Sequence, residues 1–310
     1  MKAGVIFEKT FRDLMSPRRT FTYIAVCLFL AILVAKAAQD SLVEFGAASL
    51  PMQTQTISGF FLILSFMWLA GVPLTMLASI NGANFISKEK EDGTLALLVS
   101  KPVDRVEIIF GKLAAFFASS AILELIVLIS TPLVFYFILG LDVSTFNYLF
   151  SIIPRIFLYS LFVSLIFGSL ATASSAFFRS RTKTLILLVI LILFVFFGFG
   201  IIRQWTTFGG LYDKYHINYI DLNYHLGNVY VSAISSNQHK ISPAIQSVLG
   251  SFTGTYETLE DSYDEDIGAM PASLISKRYS SGATSLFIWI IITVMILILS
   301  IVNFRRQDIF

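Results

Sequence analysis

The stretch Thr184-Leu-Ile-Leu-Leu-Val-Ile-Leu-Ile-Leu-Phe-Val-Phe-Phe-Gly-Phe-Gly-Ile-Ile202 carries no charge and a single hydroxyl. As a helix rising about 1.5 Å per residue it reaches roughly 28 Å, close to the ~30 Å hydrocarbon thickness of a bilayer. Water would demand a whole protein core around such a stretch. Lipid demands only that its backbone hydrogen bonds close within the segment, which a helix achieves. The remainder of the 310-residue chain agrees, being 56% hydrophobic and 14% charged with a mean hydropathy of +0.77. Thirty Phe stand against 22 Lys plus Arg and 20 Asp plus Glu, too few charges to coat an aqueous globule. The same balance excludes disorder. The composition therefore describes an all-α integral membrane protein.

Working outward from 184–202, five further apolar runs qualify as spans: 21–38, 58–80, 108–138, 148–178 and 285–302. All are too long and too apolar for barrel strands. The third and fourth exceed the need, so they tilt, extend past the bilayer or, at Pro132, break. Fifteen of the 22 Lys and Arg fall in the N-terminal segment, the second and fourth connections and the tail. The first connection (39–57) and the third (140–147) hold none. Six transmembrane helices with both termini cytoplasmic follow from that asymmetry, in the cell membrane, with 204–283 extracellular. The expected layout is an interfacial segment over 1–20, spans one to five over 21–203, an outside domain over 204–283, and the last span with a tail over 284–310.

Residues 1–20 have two readings. Arg18-Arg19-Thr20-Phe21 before an apolar run, with Ala35-Lys36-Ala37 beyond it, matches a cleavable twin-arginine signal. Against this, Phe7, Phe11 and Leu14 share one helical face while Glu8, Lys9, Arg12 and Asp13 share another, the pattern of an amphipathic helix at the interface.

The second connection carries the functional information: Asn84-Phe-Ile-Ser-Lys-Glu-Lys-Glu-Asp-Gly-Thr-Leu-Ala-Leu-Leu-Val-Ser-Lys-Pro-Val-Asp-Arg-Val-Glu107. The second span continues as a charged helix through Glu91, and Gly93 supplies a residue able to take positive φ and stop it. Thr94 can cap a short apolar helix over 95–99, which Lys101-Pro102 ends. Asp104 and Glu107 form a capping-box pattern that starts the third span. An apolar helix of about two turns outside the membrane needs a groove to cover Leu95, Leu97 and Leu98. Either a partner supplies it, or the leucines fold back among the span ends.

The motif Glu-x-x-x-Gly-Thr-Leu-x-Leu-Leu-x-Ser-x-Pro-Val, realised from Glu89 to Val103 and followed by Gly111-Lys112, resembles the signature region of membrane subunits (permeases) of the ATP-binding-cassette (ABC) type-2 exporter family. The six-span layout and amphipathic start are similar to that family too. The resemblance implies a dimer, as a homodimer or with a paralogous permease, set upon two copies of a separate ATPase subunit that binds ATP and Mg. It implies a coupling helix near 93–100 and docking residues Glu89, Glu91, Gly93, Thr94, Leu95, Leu97, Leu98, Ser100 and Pro102. No phosphate-loop motif G-x-x-x-x-G-K-[ST] occurs in the chain, so no cofactor is expected on it and ATP hydrolysis is assigned to the partner.

Two ionisable residues lie inside apolar runs, Glu124 in the third span and Arg155 in the fourth. Their depths coincide, and an uncompensated intramembrane charge is costly, so an ion pair between the two spans is expected. A role in the substrate path is the alternative. The outside segment is rich in Tyr and holds all three histidines, His216, His225 and His239, at spacings unlike a helical ligand pair, so no metal site is expected. Its acidic run, 257–266, reads as a solvated face and the segment as a small cap resting at the interface. The lone Cys27 permits no internal disulfide, and a net charge of +2 gives no sign of nucleic-acid binding.

Three function classes compete. A permease of an ATP-driven exporter accounts for the second connection. A membrane enzyme would need clustered catalytic groups, and the spans hold no histidine and no H-E-x-x-H or G-x-S-x-G. A stand-alone secondary transporter or channel should show repeats, broken spans or several intramembrane charges.

Overall fold

The computed structural model describes residues 2–44, 49–93, 104–207, 210–234, 243–255 and 279–306. Six helical units among them are long and apolar enough to cross a membrane. The chain is a multi-pass membrane protein. An amphipathic helix α1 (Lys2–Leu14) precedes the first span, α2 (Pro17–Glu44). The second span is composite: α3 (Leu50–Leu64), a π turn over Ser65–Leu69, and α4 (Val72–Ala83), followed by the short α5 (Ser87–Glu91). Spans three and four are α6 (Arg105–Leu139) and α7 (Val143–Phe177). Span five joins α8 (Arg181–Leu193), a π turn over Phe194–Gly198 and α9 (Phe199–Thr207). Then come α10 (Leu211–Lys214), α11 (Leu222–Ile234), α12 (Pro243–Thr253) and the sixth span, α13 (Gly282–Arg306).

Span two forms the centre of the bundle, with 67% of its apolar window buried against 28% or less in spans one, five and six. The large apolar side chains left exposed on those outer spans, such as Phe29, Ile190 and Ile291, suit contact with lipid. Helix α4 packs on α7 at close range because both present small residues. A Cβ built on Gly82 would stand 2.3 Å from the Cβ of Ala171.

Of the alternatives open for the long third span, the structure excludes the break, and it interrupts span two, where none was expected. Helix α6 runs unbroken through Pro132, so its 35 residues exceed the bilayer by extension or tilt. In span two the break falls where the π turn meets Gly71-Val72-Pro73, and Pro73 has no N–H to give to the preceding turn. Gly-x-Pro inside an apolar run was the available signal.

The fifth connection also departs from the expected interfacial cap. Helix α11 is buried among the spans along most of its length. The Tyr230 hydroxyl donates to the Leu62 carbonyl at 2.9 Å and lies 2.6 Å from Ser65 Oγ, beside the π turn of span two. Its ring meets those of Phe66 and Tyr159 at centroid distances of 5.2 and 5.0 Å. Such insertion is helped by the pairing of many of the polar groups that go in. Arg203 at the end of span five bridges Asp221 at 3.2 Å and donates to Asn223. Tyr212 Oη and the Tyr224 N–H donate to Asp221, while Tyr224 Oη accepts from the N–H groups of Tyr279 and Ser280. His225 lies 3.0 Å from Ser285 Oγ in span six. His239 and the acidic run 257–266 lie outside the described residues.

Two outcomes follow. Gly82→Leu forces α4 and α7 apart and should lower the thermal midpoint by an overpacking cost of about 1–3 kcal/mol, read by scanning fluorimetry in detergent. Gly4→Leu, where a Cβ meets open space, should leave it unchanged. Burial pushes the His225 imidazole below its ordinary value, so the unfolded chain binds the proton more readily. The stabilising contribution is complete above the unfolded value near ~6.5 and is lost as pH falls below it. Melts at successive pH values should show an acid-side loss that His225→Gln diminishes.

Candidate functional site

The ends of the spans that carry the Lys and Arg runs gather at one pole of the bundle, and the second connection is built into them. Helix α7 ends at Phe177 with Phe178 in extended conformation, which leaves the last carbonyls without helical donors. Helix α5 supplies those donors. Ser87 Oγ donates to the Ser175 carbonyl at 3.0 Å, and Lys90 Nζ donates to the Ala176 carbonyl. A cation at a helix C-terminus also meets the negative end of the helix dipole. In return Ser175 Oγ accepts from the Ile86 and Ser87 N–H groups at 2.9 and 2.8 Å, and Thr184 Oγ1 lies 2.9 Å from Ser87 Oγ.

One residue further, the sign reverses. Glu91 Oε2 accepts from the Arg181 N–H at 2.9 Å, in the first turn of α8, where donors are orphaned and the dipole is positive. Glu89 Oε1 meets Lys112 Nζ of α6 at 2.5 Å, and the same ammonium donates to the Phe85 carbonyl. The interleaved Lys-Glu-Lys-Glu of α5 thus engages spans three, four and five at once. Helix α5 ends at Glu91, and Gly93 takes φ +69°.

Where the chain returns, Asp104 caps α6, accepting from the Val106 N–H at 3.1 Å and from Arg305 Nη2 at 3.1 Å. Those contacts hold its carboxyl below the usual carboxylate value, the Val106 N–H contributing most. Arg105 donates to the Phe304 carbonyl at 2.6 Å, fastening the end of span six beside the connection. Helix α1 lies along α6 near Gly111, with Phe7 and Phe11 stacked at 5.7 Å and Leu14 buried. Between α1 and α5 opens a cleft of about 590 Å³, edged by Lys9, Arg12, Lys88 and Asp92.

Of the sequence-derived docking residues, the structure brings Glu89, Glu91 and Gly93 together at this pole. Thr94, Leu95, Leu97, Leu98, Ser100 and Pro102 lie outside the described residues. Glu89 and Glu91 bind their own chain's helices, a role not foreseen from the motif. Ser87, Lys90, Ser175 and Thr184 were missed altogether. The alternating charges of 88–91 hinted that this turn faces partners on several sides, without saying which.

The expected pairing of Glu124 with Arg155 is not formed. Glu124 is buried, and its Oε2 accepts from Tyr23 Oη of α2 at 2.9 Å, with no cation among the described residues within 4.0 Å. Arg155 is half-buried, and its Nη1 has no acceptor among the described residues. Counting residues along two antiparallel helices fixes relative height only. The rotation of each helix, set by packing, turns Glu124 toward α2. Among the described residues no group of three or more His, Cys, Asp or Glu could hold a metal ion.

Removing Glu89 takes the carboxylate from the buried Lys112 ammonium at a cost of roughly 3–5 kcal/mol. Glu89→Ala and Lys112→Ala should each reduce the monodisperse fraction in size-exclusion chromatography. The exchange of the two, Glu89→Lys with Lys112→Glu, should recover part of it.

No curated protein matches this chain. A protein-family model does match, over residues 5–309, and its description is ABC-2 family transporter protein. With that match running nearly from end to end, through the stapled connection and all six spans, the chain belongs to the ABC-2 family of membrane transporters.

Proposed function

We propose that this chain is the membrane-spanning subunit of an ATP-driven exporter, working as a dimer above two separate ATPase subunits. In this reading the basic pole faces the cytoplasm and 204–283 the outside. The segment near 93–100 is the coupling helix, with Leu95, Leu97 and Leu98 seated in a cleft of the ATPase. Family membership supports the general role of transporter. Members of the family are not themselves ATPases and pair with subunits that are.

One observation carries the coupling claim. The anchor of the segment, α5, is bonded to spans three, four and five through Lys112, Ser175, Ala176 and Arg181. A push on the residues after Gly93 would load three spans at once, and the break at Gly71 and Pro73 gives span two a place to bend. Closure of the ATPases on ATP would then shift the spans between two packings, the requirement for alternating access.

A stand-alone secondary transporter is the second reading, favoured by that same interrupted span. Co-expression with the ATPase separates the two. For the coupled reading, the ATPase co-purifies with the chain, and Leu97→Asp abolishes chain-stimulated ATP hydrolysis. Retention of full stimulation in both Leu97→Asp and Gly93→Pro would sink the coupling claim, and absence of any bound ATPase would favour the lone transporter.

A further inference from the structure

We propose that Arg155 is the anchor of an anion-binding site, recognising a phosphate-type oxyanion on the far half of span four. Arg155 is the thirteenth residue of α7, roughly 18 Å along the helix from its far end. Among the described residues no carboxylate lies within 4.0 Å of its guanidinium, and Nη1 is shielded from solvent without an acceptor. An unpaired cation at that depth is costly in lipid, so its native surroundings must supply negative charge.

The neighbouring surface fits a polar ligand better than acyl chains. Ser144, Asn147, Ser151 and Arg155 follow one another at three- and four-residue steps, which places them on one stripe of the helix. The first three are exposed and the last is half-buried. Tyr148 sits beside them, within the electrostatic reach of Arg155. Beyond Arg155, toward the basic pole, the stripe ends at Leu158, 66% exposed, and at the buried Phe162. A polar track thus runs from the far end down to one cation and stops against apolar side chains, as a site loaded from that end or from the outer leaflet would.

A second copy of the chain is a poorer source of the missing charge. Among the described residues, the exposed Asp40 and the part-buried Asp142 sit at far helix ends, and Asp142 is engaged in capping α7. Glu124 is buried and holds Tyr23. A guanidinium suits phosphate geometry through its paired N–H donors. Lipid headgroups and soluble phosphates share that chemistry. As a statement about substrate the inference rests on the transporter reading, while the anion binding itself does not require it.

The test uses the full chain in nanodiscs of phosphatidylcholine, with or without added phosphatidylglycerol. Native mass spectrometry counts retained phosphatidylglycerol, and thermal shift in the phosphatidylcholine discs reports binding of inorganic phosphate. Loss of a charge-assisted contact costs about tenfold in affinity, so Arg155→Gln should lose about that much for the bound probe. Arg155→Lys should keep most of it, and Lys36→Gln, which removes an exposed cation of span one, should change nothing. An Arg155-dependent preference for phosphatidylglycerol assigns the site to a lipid headgroup, and an Arg155-dependent phosphate shift assigns it to a soluble anion. If neither probe depends on Arg155 the proposal is overturned, and weaker self-association of Arg155→Gln in that case would assign the guanidinium to a second copy. Co-purification of the ATPase, measured on the same preparations, reports on the transporter reading independently.

Discussion

A helix that leaves a bilayer exposes four carbonyls at one end or four N–H groups at the other, and these must be satisfied before anything else can pack there. In this protein one five-residue helix meets both demands. Ser87 and Lys90 serve the carbonyls that end span four, Glu91 serves the amides that open span five, and Glu89 binds the lysine of span three. The charges of Lys90 and Glu91 match in sign the helix dipoles they meet. A segment that would otherwise be a solvated loop becomes a junction bonded to three spans.

Polar groups in the interior obey the same accounting. Tyr230 enters beside the π turn of span two and finds the Leu62 carbonyl there, and Arg203 finds Asp221 and Asn223 at the end of span five. Each buried donor that meets an acceptor ties α11 to a different span, so the far half of the bundle is held by a network rather than by apolar contact alone. The two poles differ in kind. At the basic pole, ionic contacts clamp helix ends. At the other, tyrosines, asparagines and serines knit an inserted helix to its neighbours. Span two passes through both regions and carries its break between them, so a bend there would shift one pole against the other without unfastening either.

Glu124 and Arg155 show how burial chooses partners. Each is an intramembrane charge-bearing group, yet Glu124 takes a phenol 101 positions away in sequence and leaves Arg155 to other company. A carboxyl can be satisfied by a neutral phenol donor, whereas the planar fork of a guanidinium is best matched by an oxyanion.

Much of this architecture was legible in the chain. Apolar runs of the right length gave six helices, because a bilayer leaves no other economical solution for the backbone. The face shared by Phe7, Phe11 and Leu14 gave α1, Gly93 marked a left-handed stop, and Asp104 marked a helix start, since each is a local rule about one or two residues. What only the tertiary structure decided depended on rotation and on contacts distant in sequence. It placed a break at Gly71-Val72-Pro73, kept α6 continuous through Pro132, drew α11 into the bundle, turned Glu124 to Tyr23, and bound Glu89 and Glu91 to their own helices. Sequence periodicity fixes which residues share a helix face, but the neighbour that face meets is set by how all the helices pack together.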